Sequence, residues 1–205
     1  SKVTVAQGAN VTCRITNTDK PGSVAWSKVD ATTGLALAGT VWSITGPSFE
    51  DEPGVVTDCT TTACPGLDQD SDPGEFLLEG LDWGQYTVTE TATPAGYVMG
   101  GASFTFTVSG NSLAYVLDEA IENTRILGTV TWTKVDASNT STKLAGSEWT
   151  LTLPDGTTKE TVTDCTASPC PSLTTNPYAD QDPAVGAFRL ADLPWGAYIL
   201  VEKKA

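Results

Sequence analysis

Histidine is absent from the 205 residues of this chain, and its absence removes several kinds of chemistry. Without imidazole there is no Ser-His or Cys-His nucleophile pair and no histidine-ligated zinc. Basic residues are scarce too, since 11 Lys and Arg stand against 25 Asp and Glu for a formal charge of -14. Nucleic-acid binding needs clustered Lys and Arg for phosphate contacts, so this balance argues against it. The charge suits an exported, soluble protein.

Long apolar stretches are also missing. No run reaches the length of about 20 residues that a membrane-spanning helix needs, so we expect no membrane insertion in this segment. Ser1 begins no recognisable signal peptide, and we expect the chain to be a piece of something longer. A sustained helical period is lacking, whereas Thr, Val, Gly and Pro are abundant. These features predict an all-β chain.

Short alternating runs separated by Gly, Pro and Asp indicate the architecture. They include "SVAWSKVD", "GEFLLEGL", "GQYTVTET" and "SFTFTVSG". Their density, about seven per hundred residues, predicts antiparallel β-sandwiches of immunoglobulin-like form. The chain is long enough for two such domains of about 100 residues each.

The five cysteines form two equal pairs and one remainder. "TDCTTTACPG" contains Cys59 and Cys64, and "TDCTASPCPS" contains Cys165 and Cys170. A four-cysteine metal site would require both pairs to converge on one ion, but they lie 106 positions apart at equivalent places of a repeat. We therefore predict one loop-closing disulfide in each pair and an oxidising, extracellular setting. Cys13 is either a buried thiol or half of a pair whose partner lies upstream.

An internal repeat organises the whole chain. Trp132 follows Trp26 by 106 positions, and "LAGTVW" at 37–42 is matched by "LAGSEW" at 144–149. "GLDWGQYTVTE" at 80–90 is matched by "DLPWGAYILVE" at 192–202, after short insertions of the kind that loops tolerate. Such an arrangement is typical of tandem modules.

The match also predicts where the modules begin and end. Asn17 lies nine residues before Trp26, as Asn123 lies nine before Trp132. We therefore expect residues 1–22 to be closing strands of a preceding repeat and residues 23–126 to be one complete repeat. Residues 127–205 would be a second repeat that lacks its last strands.

Several motifs together resemble a known family. They are "W-x-K-V-D", then "L-A-G-[TS]", then "G-x-F-x-L-x-x-L-x-W-G-x-Y-x-[VL]-x-E-x-x-x-P-x-G-Y", then "I-E-N-T". Together they resemble the collagen-adhesin B-type, or SpaA-like prealbumin, domains that build stalks and pili of Gram-positive bacteria. The resemblance covers essentially the whole chain, and it implies tandem prealbumin-like β-sandwiches on an extracellular, cell-wall-attached protein.

The resemblance also implies a covalent cross-link. In this family a first-strand lysine forms a spontaneous amide with an asparagine of the last strand, assisted by a buried acid. The matching positions here are Lys28, Asn123 and Glu90. Burial favours the neutral amine that attacks a carboxamide and the protonated acid that polarises it, and contact supplies effective concentration. Lys28 would share a strand face with Trp26, an apolar neighbour that suits burial.

The second repeat carries only part of this set. Lys134 and Glu202 match the lysine and the acid, while the matching acceptor would fall beyond Ala205. Conversely, Asn17 matches an acceptor whose lysine would lie upstream. Head-to-tail strand donation between chains would bring Lys134 to Asn17 of a neighbour. The alternative is a monomer with unpaired ends.

Two weaker patterns allow other interpretations. Asp68, Asp70 and Asp72 alternate as calcium ligands do, and so do Asp180 and Asp182. Neither loop has the glutamate and glycine of an EF-hand, so we expect no metal and favour a solvated acidic turn. The six tryptophans invite carbohydrate stacking, but their recurrence in register favours core packing. The tryptophans that recur in this way are Trp26, Trp42 and Trp83 with Trp132, Trp149 and Trp195.

Two classes of function follow from the sequence. The first is a structural module of a surface stalk, pilus or adhesin, with neighbouring repeats as partners, no cofactor, and no enzymatic activity beyond its own cross-link. The second is a ligand-binding adhesin domain or an accessory module of a secreted enzyme. Tandem similarity favours the first, since a binding tip is usually a single divergent domain.

Overall fold

The computed structural model describes residues 3–16 and 18–205, which are built of strands and turns. Within these residues the only helical element is a single 3₁₀ turn, Pro47–Phe49, and no helix has the length and apolar character needed to cross a bilayer. The strands are β1 Gly22–Asp30, β2 Val41–Thr45, β3 Gly54–Thr57, β4 Glu75–Leu81, β5 Gly84–Ala92, β6 Ser103–Val108, β7 Ala114–Val116, β8 Ile121–Asn123, β9 Leu127–Thr133, β10 Glu148–Thr152, β11 Lys159–Thr163, β12 Ala187–Pro194 and β13 Ile199–Lys204.

The first module, β1 to β8, is a sandwich of two four-stranded sheets. One sheet has the antiparallel order β3-β2-β5-β6. In the other, β1 lies between β4 on one edge and β7 and β8 on the opposite edge. Both β7 and β8 run parallel to β1, an exception to the predicted antiparallel pairing. The all-β sandwich itself is confirmed.

Strand β1 shows why the sequence folds in this way. Its residues alternate strictly between buried and half-buried positions, as period-2 patterning requires. The inward face carries Val24, Trp26, Lys28 and Asp30, so Lys28 shares a face with Trp26 as predicted. Trp26 stacks on Phe76 of β4 with ring centroids 4.8 Å apart. This aromatic pair forms the centre of the first core.

The second module, β9 to β13, repeats the first five strands. β9 pairs with β12 and β10 lies between β11 and β13, which matches the pairing of β1 with β4 and of β2 with β3 and β5. Its core also centres on an aromatic stack, Trp132 on Phe188 with centroids 4.8 Å apart. The repeated stack confirms core packing for the first tryptophan of each module.

The third tryptophan of each module is not in a core, and there the core prediction is wrong. Trp83 is 41% exposed and Trp195 is 69% exposed. Both lie in the turns that join β4 to β5 and β12 to β13. A turn at the end of a sandwich lies outside the space between its sheets, so recurrence in register does not by itself place a side chain in the core.

Both predicted disulfides are present, Cys59–Cys64 and Cys165–Cys170. Each follows the third strand of its module. Cys13 is free and exposed, so the prediction of a buried thiol is wrong.

The segment before β1 contains no strand within residues 3–16 and 18–21, and those residues are exposed. Asn17, the predicted acceptor in this segment, lies outside the described residues. The assignment of residues 1–22 to a preceding repeat therefore stays a prediction.

Candidate functional site

The site begins with a lysine buried in the first module. Lys28 lies on the inward face of β1 and is fully buried. Its Nζ donates a hydrogen bond to the Ile121 carbonyl oxygen of β8, 3.0 Å away. Burial lowers the pKa of the Lys28 amine, and the charges of Glu90 and Glu122 oppose that shift only in part. Burial thus shifts the Lys28 amine toward its neutral form, which is the nucleophilic one.

The acid and the carboxamide meet beside this lysine. Glu90 is an inward-facing residue of β5, Asn123 ends β8, and both are about 2% exposed. Asn123 Nδ2 donates to Glu90 Oε1 at 2.7 Å and to Thr93 Oγ1 at 2.6 Å. The parallel register pairs Lys28 with Ile121 and Asp30 with Asn123. All three predicted residues of this module are therefore brought to one buried place.

Two atoms of this cluster lack a hydrogen-bond partner. They are Glu90 Oε2 and Asn123 Oδ1, both buried. Since buried polar atoms are nearly always paired, this is an energetically costly arrangement for two unreacted groups. Rotation of the amide by half a turn would exchange Nδ2 and Oδ1, so that Oδ1 would face Glu90 Oε1 and Thr93 Oγ1. The Thr93 hydroxyl can accept from Nδ2 or donate to Oδ1, so it is compatible with both orientations.

A second buried cluster lies at the end of β1. Asp30 Oδ2 accepts hydrogen bonds from Tyr97 Oη at 2.6 Å and from Arg125 Nε at 2.5 Å. Asp30 Oδ1 accepts from the backbone N–H groups of Thr32 and Thr33. Burial alone would raise the pKa of Asp30, but these hydrogen bonds outweigh it and hold the pKa below its ordinary value. The cluster joins the ends of β1 and β8 next to Asn123.

With this geometry in place, the family can be identified. Residues 22–120 and 128–205 match the family model of the SpaA prealbumin-like fold domain. The chain belongs to this family. The resemblance inferred from the W-x-K-V-D and P-x-G-Y motifs is confirmed, and each match lies within one module of the fold, the first ending just before β8.

Two solved structures share the SpaA-type fold over most of the chain. The Bacillus anthracis TIE protein is 24% identical with a TM-score of 0.55, and the match covers 90% of this chain but 28% of that one. The C-terminal fragment of the pilus adhesin SpaC from Lactobacillus rhamnosus GG is 16% identical with a TM-score of 0.50, over 91% of this chain and 76% of that one. At such identities the likeness shows the fold alone. No curated protein matches the chain.

The second SpaA-type domain holds the lysine and the acid without an acceptor beside them among the described residues. Lys134 Nζ lies 2.6 Å from Glu202 Oε1, in an ion pair whose side chains are 21% and 31% exposed. Glu202 pairs in register with Trp149 of β10, as Glu90 pairs with Trp42 of β2. The two domains therefore hold their acids at equivalent positions.

The aspartate loops of both SpaA-type domains have a structural explanation. Asp68 is buried and accepts hydrogen bonds from the N–H groups of Cys59, Asp70 and Leu77. Asp180 accepts from the matching residues of the second domain, Cys165, Asp182 and Arg189. Asp70 in turn accepts from the N–H of Asp72. These carboxylates tie each disulfide loop to the following strand, and within the described residues no group of three or more His, Cys, Asp or Glu could hold a metal ion.

Sequence reasoning missed Thr93, Tyr97 and Arg125. Tyr97 is the last residue of the P-x-G-Y motif, and Arg125 directly follows the "IENT" motif, so both lie at the ends of recognised patterns. Thr93 lies three residues after Glu90, at a position that carries no signal in a single sequence.

Proposed function

We propose that this chain is a structural repeat module of a Gram-positive cell-surface adhesin or pilus, cross-linked internally between Lys28 and Asn123. The observation that supports it most is the joint burial of Lys28, Glu90 and Asn123, with unpaired oxygens on the latter two. The predicted disulfides fit an extracellular location. Membership of the SpaA family and the fold shared with a pilus adhesin fragment fit it as well.

The proposed reaction is an amide exchange that releases ammonia. Neutral Lys28 Nζ attacks Cγ of Asn123 while a proton on Glu90 neutralises the developing charge on Oδ1. Glu90 then passes a proton from Nζ to the Nδ2 group, the Cγ–Nδ2 bond breaks, and ammonia leaves. One C–N bond forms and one breaks, with no oxidant, cofactor or second protein. The chain undergoes this step once and is not a turnover enzyme.

The mechanical value of such a bond follows from the strands that it joins. β1 begins the module at Gly22 and β8 ends it at Asn123. Tension that enters at Gly22 and leaves at Asn123 would cross from β1 to β8 at Lys28. Residues 29–122 would then carry little of the load, as a stalk requires.

Intact mass of the denatured, reduced chain tests the cross-link. We expect a mass one ammonia below that of the sequence, and full mass in Glu90→Ala. The matched control is Glu202→Ala, which alters the equivalent acid of the second domain and should leave the loss of ammonia unchanged. Full mass in a wild-type chain shown to be folded would disprove the cross-link.

We further propose that a closing strand from another chain completes the second domain. Among the described residues β9 pairs only with β12, whereas β1 also pairs with β7 and β8. Within the same part of the chain, β13 pairs only with β10, whereas its counterpart β5 also pairs with β6, and Ile199 and Val201 of β13 are 60% and 55% exposed. Such an edge favours strand addition. Residues 1–22 of a neighbouring chain would bring Asn17 next to Lys134, where the two side chains could form an amide.

Boiling in detergent tests this second proposal. A covalent ladder that disappears in Lys134→Ala supports head-to-tail linkage, and Lys159→Ala, which changes a lysine of β11, serves as the control. A single monomer band at high protein concentration would rule out the covalent form.

A further inference from the structure

The exposed turn tryptophans differ in what lies against them. Trp195, in the second domain, lies against Gly96 of the first. A Cβ atom added at Gly96 would stand 2.7 Å from Trp195 Cβ and 3.1 Å from its Cγ. Gly96 has a φ of +89°, so two independent reasons require glycine at this position. The turn of the P-x-G-Y motif is thus the part of the first domain against which Trp195 of the second domain packs.

This turn is hydrogen-bonded to the segment that links the two domains. The N–H of Ile126 donates to the Gly96 carbonyl at 2.7 Å, and the N–H of Val98 donates to the Thr124 carbonyl at 2.9 Å. Between Asn123 and Leu127 the link has only three residues. Ile126 and Leu127 also line a cavity together with Trp195. The turn, the link and the tryptophan therefore form one junction.

Like Trp195 in the second domain, Trp83 in the first domain contacts a link segment. Its Nε1 donates to the Lys20 carbonyl at 2.8 Å, and Lys20 lies 106 positions before Ile126, the equivalent link residue. A cavity beside Trp83 is lined by Thr18, Asp19 and Lys20. The outer edge of the Trp83 ring lies against Gly110 of its own domain, and among the described residues no glycine lies against the Cβ side of Trp83, which corresponds to the side of Trp195 that contacts Gly96. The link segment is therefore in place against Trp83, but among the described residues no P-x-G-Y turn lies against it. We call Trp83 with residues 18–20 the Trp83 face.

We infer that the Trp83 face is a docking surface for the P-x-G-Y turn of another domain of this type, placed N-terminal to residue 22. The junction at Trp195 provides the template, because it brings together the same tryptophan position, the same link positions and this turn. Trp195 Cβ and Cγ approach Gly96 so closely that a side chain there would collide with them, so the occupant presents a glycine. The inference rests on the proposed repeat arrangement but needs no cross-link.

A three-domain chain tests the inference by nuclear magnetic resonance. It consists of this chain with residues 1–17 replaced by a copy of residues 23–123, which keeps the 106-residue spacing and leaves residues 18–20 in place. An aromatic ring shifts the resonances of protons that lie over its face. In the existing chain we expect the Gly96 Hα resonances to be shifted upfield. In Trp195→Ala they should move back to ordinary glycine values, and the difference gives the size of the shift that a tryptophan causes at this turn.

In the three-domain chain we expect the Gly96 protons of both copies to be shifted upfield. Those of the first copy should return to their unshifted position when the Trp83 that follows the copy is changed to Ala. A nuclear Overhauser effect between that Trp83 and the first Gly96 is expected in the unmutated chain and does not depend on a variant that folds. An unshifted first Gly96 without this effect, in a folded chain, would overturn the inference. Intact mass, measured on the same sample, reports the cross-link separately.

Discussion

Asp30 and Arg125 are joined by a 2.5 Å ion pair that connects the last residue of β1 to the second residue after β8. Asp30 is almost fully buried, whereas the Arg125 side chain is 27% exposed. Tyr97 of the P-x-G-Y turn donates to the same carboxylate oxygen. One buried charge therefore holds together the strand that bears Lys28, the link after Asn123 and the turn that contacts the next domain.

This pair makes the first domain sensitive to acid. The folded-state pKa of Asp30 lies below its ordinary value of 3.8, so its contribution is fully present above that pH and is lost as pH falls toward the folded pKa. We expect Asp30→Asn to lower the stability of the first domain at pH 7 by about 2 kcal/mol. The loss should shrink below pH 4. Urea unfolding across pH 2 to 7 would measure both effects.

The control for that prediction is Asp136→Asn, which alters the matching aspartate of the second domain. Asp136 accepts from its own turn, at Ser138 and Asn139, and within the described part of the chain it pairs with no arginine. We expect a smaller loss of stability than from Asp30→Asn. Equal losses in the two variants would contradict the role given to Arg125.

Thr93 is expected to assist the cross-link. Thr93→Val keeps the shape of the side chain but removes the hydroxyl that lies 2.6 Å from Asn123 Nδ2. The carboxamide would then lose a partner in both of its orientations, and ammonia release should slow by about tenfold, equivalent to about 1.4 kcal/mol. A mass time course of newly synthesised chain, followed from its first folding, measures the rate. Thr91→Val, which removes an exposed hydroxyl bonded to the Val41 carbonyl, should leave the rate unchanged.

The disulfides should contribute modestly to stability. Each closes a loop between cysteines five positions apart, for which chain entropy gives about 2 kcal/mol. Native, non-reduced protein should show one reactive thiol, at Cys13. Labelling of more than one thiol under non-reducing denaturation would contradict the assignment. Because Asp68 holds the Cys59 loop through three backbone N–H groups, the loop should keep its position after mild reduction.

The two aromatic stacks should contribute different amounts to the free energy of unfolding. Trp26 is 2% exposed, whereas Trp132 is only half-buried. Trp26→Ala should lower the free energy of unfolding by about 3–5 kcal/mol. Trp132→Ala should lower it by less, because Trp132 buries less apolar surface when the second domain folds. Calorimetry should assign the larger loss to the transition of the first domain. A larger loss from Trp132→Ala would contradict this account of the two cores.

The fold was largely predictable because its signals are local. Period-2 burial along β1 and the repeat of the Trp-Phe stack both follow from residues that read as alternating strands. The parallel pairing of β7 and β8 with β1 was not predictable, since the direction of a short edge strand depends on the path of distant turns. Trp83 shows the same limit, because its position in a turn outweighed its apolar character.

The sequence motifs identified three residues of the candidate site, but not the residues that surround them. Lys28, Glu90 and Asn123 stand in recognisable motifs, and the structure brings them together. Arg125 and Tyr97 could not be assigned to Asp30, since their pairing spans 95 and 67 positions and depends on how the link crosses the end of β1.

The parallel pairing of β1 with β8 has a geometric consequence for any array of such domains. The backbone enters at Gly22 and leaves at Asn123 heading the same way, so each domain passes the chain onward instead of turning it back. Length then accumulates with every copy, and the array has a defined polarity from its first copy to its last. In a row of such domains, the distance between the two ends therefore increases with each domain that is added.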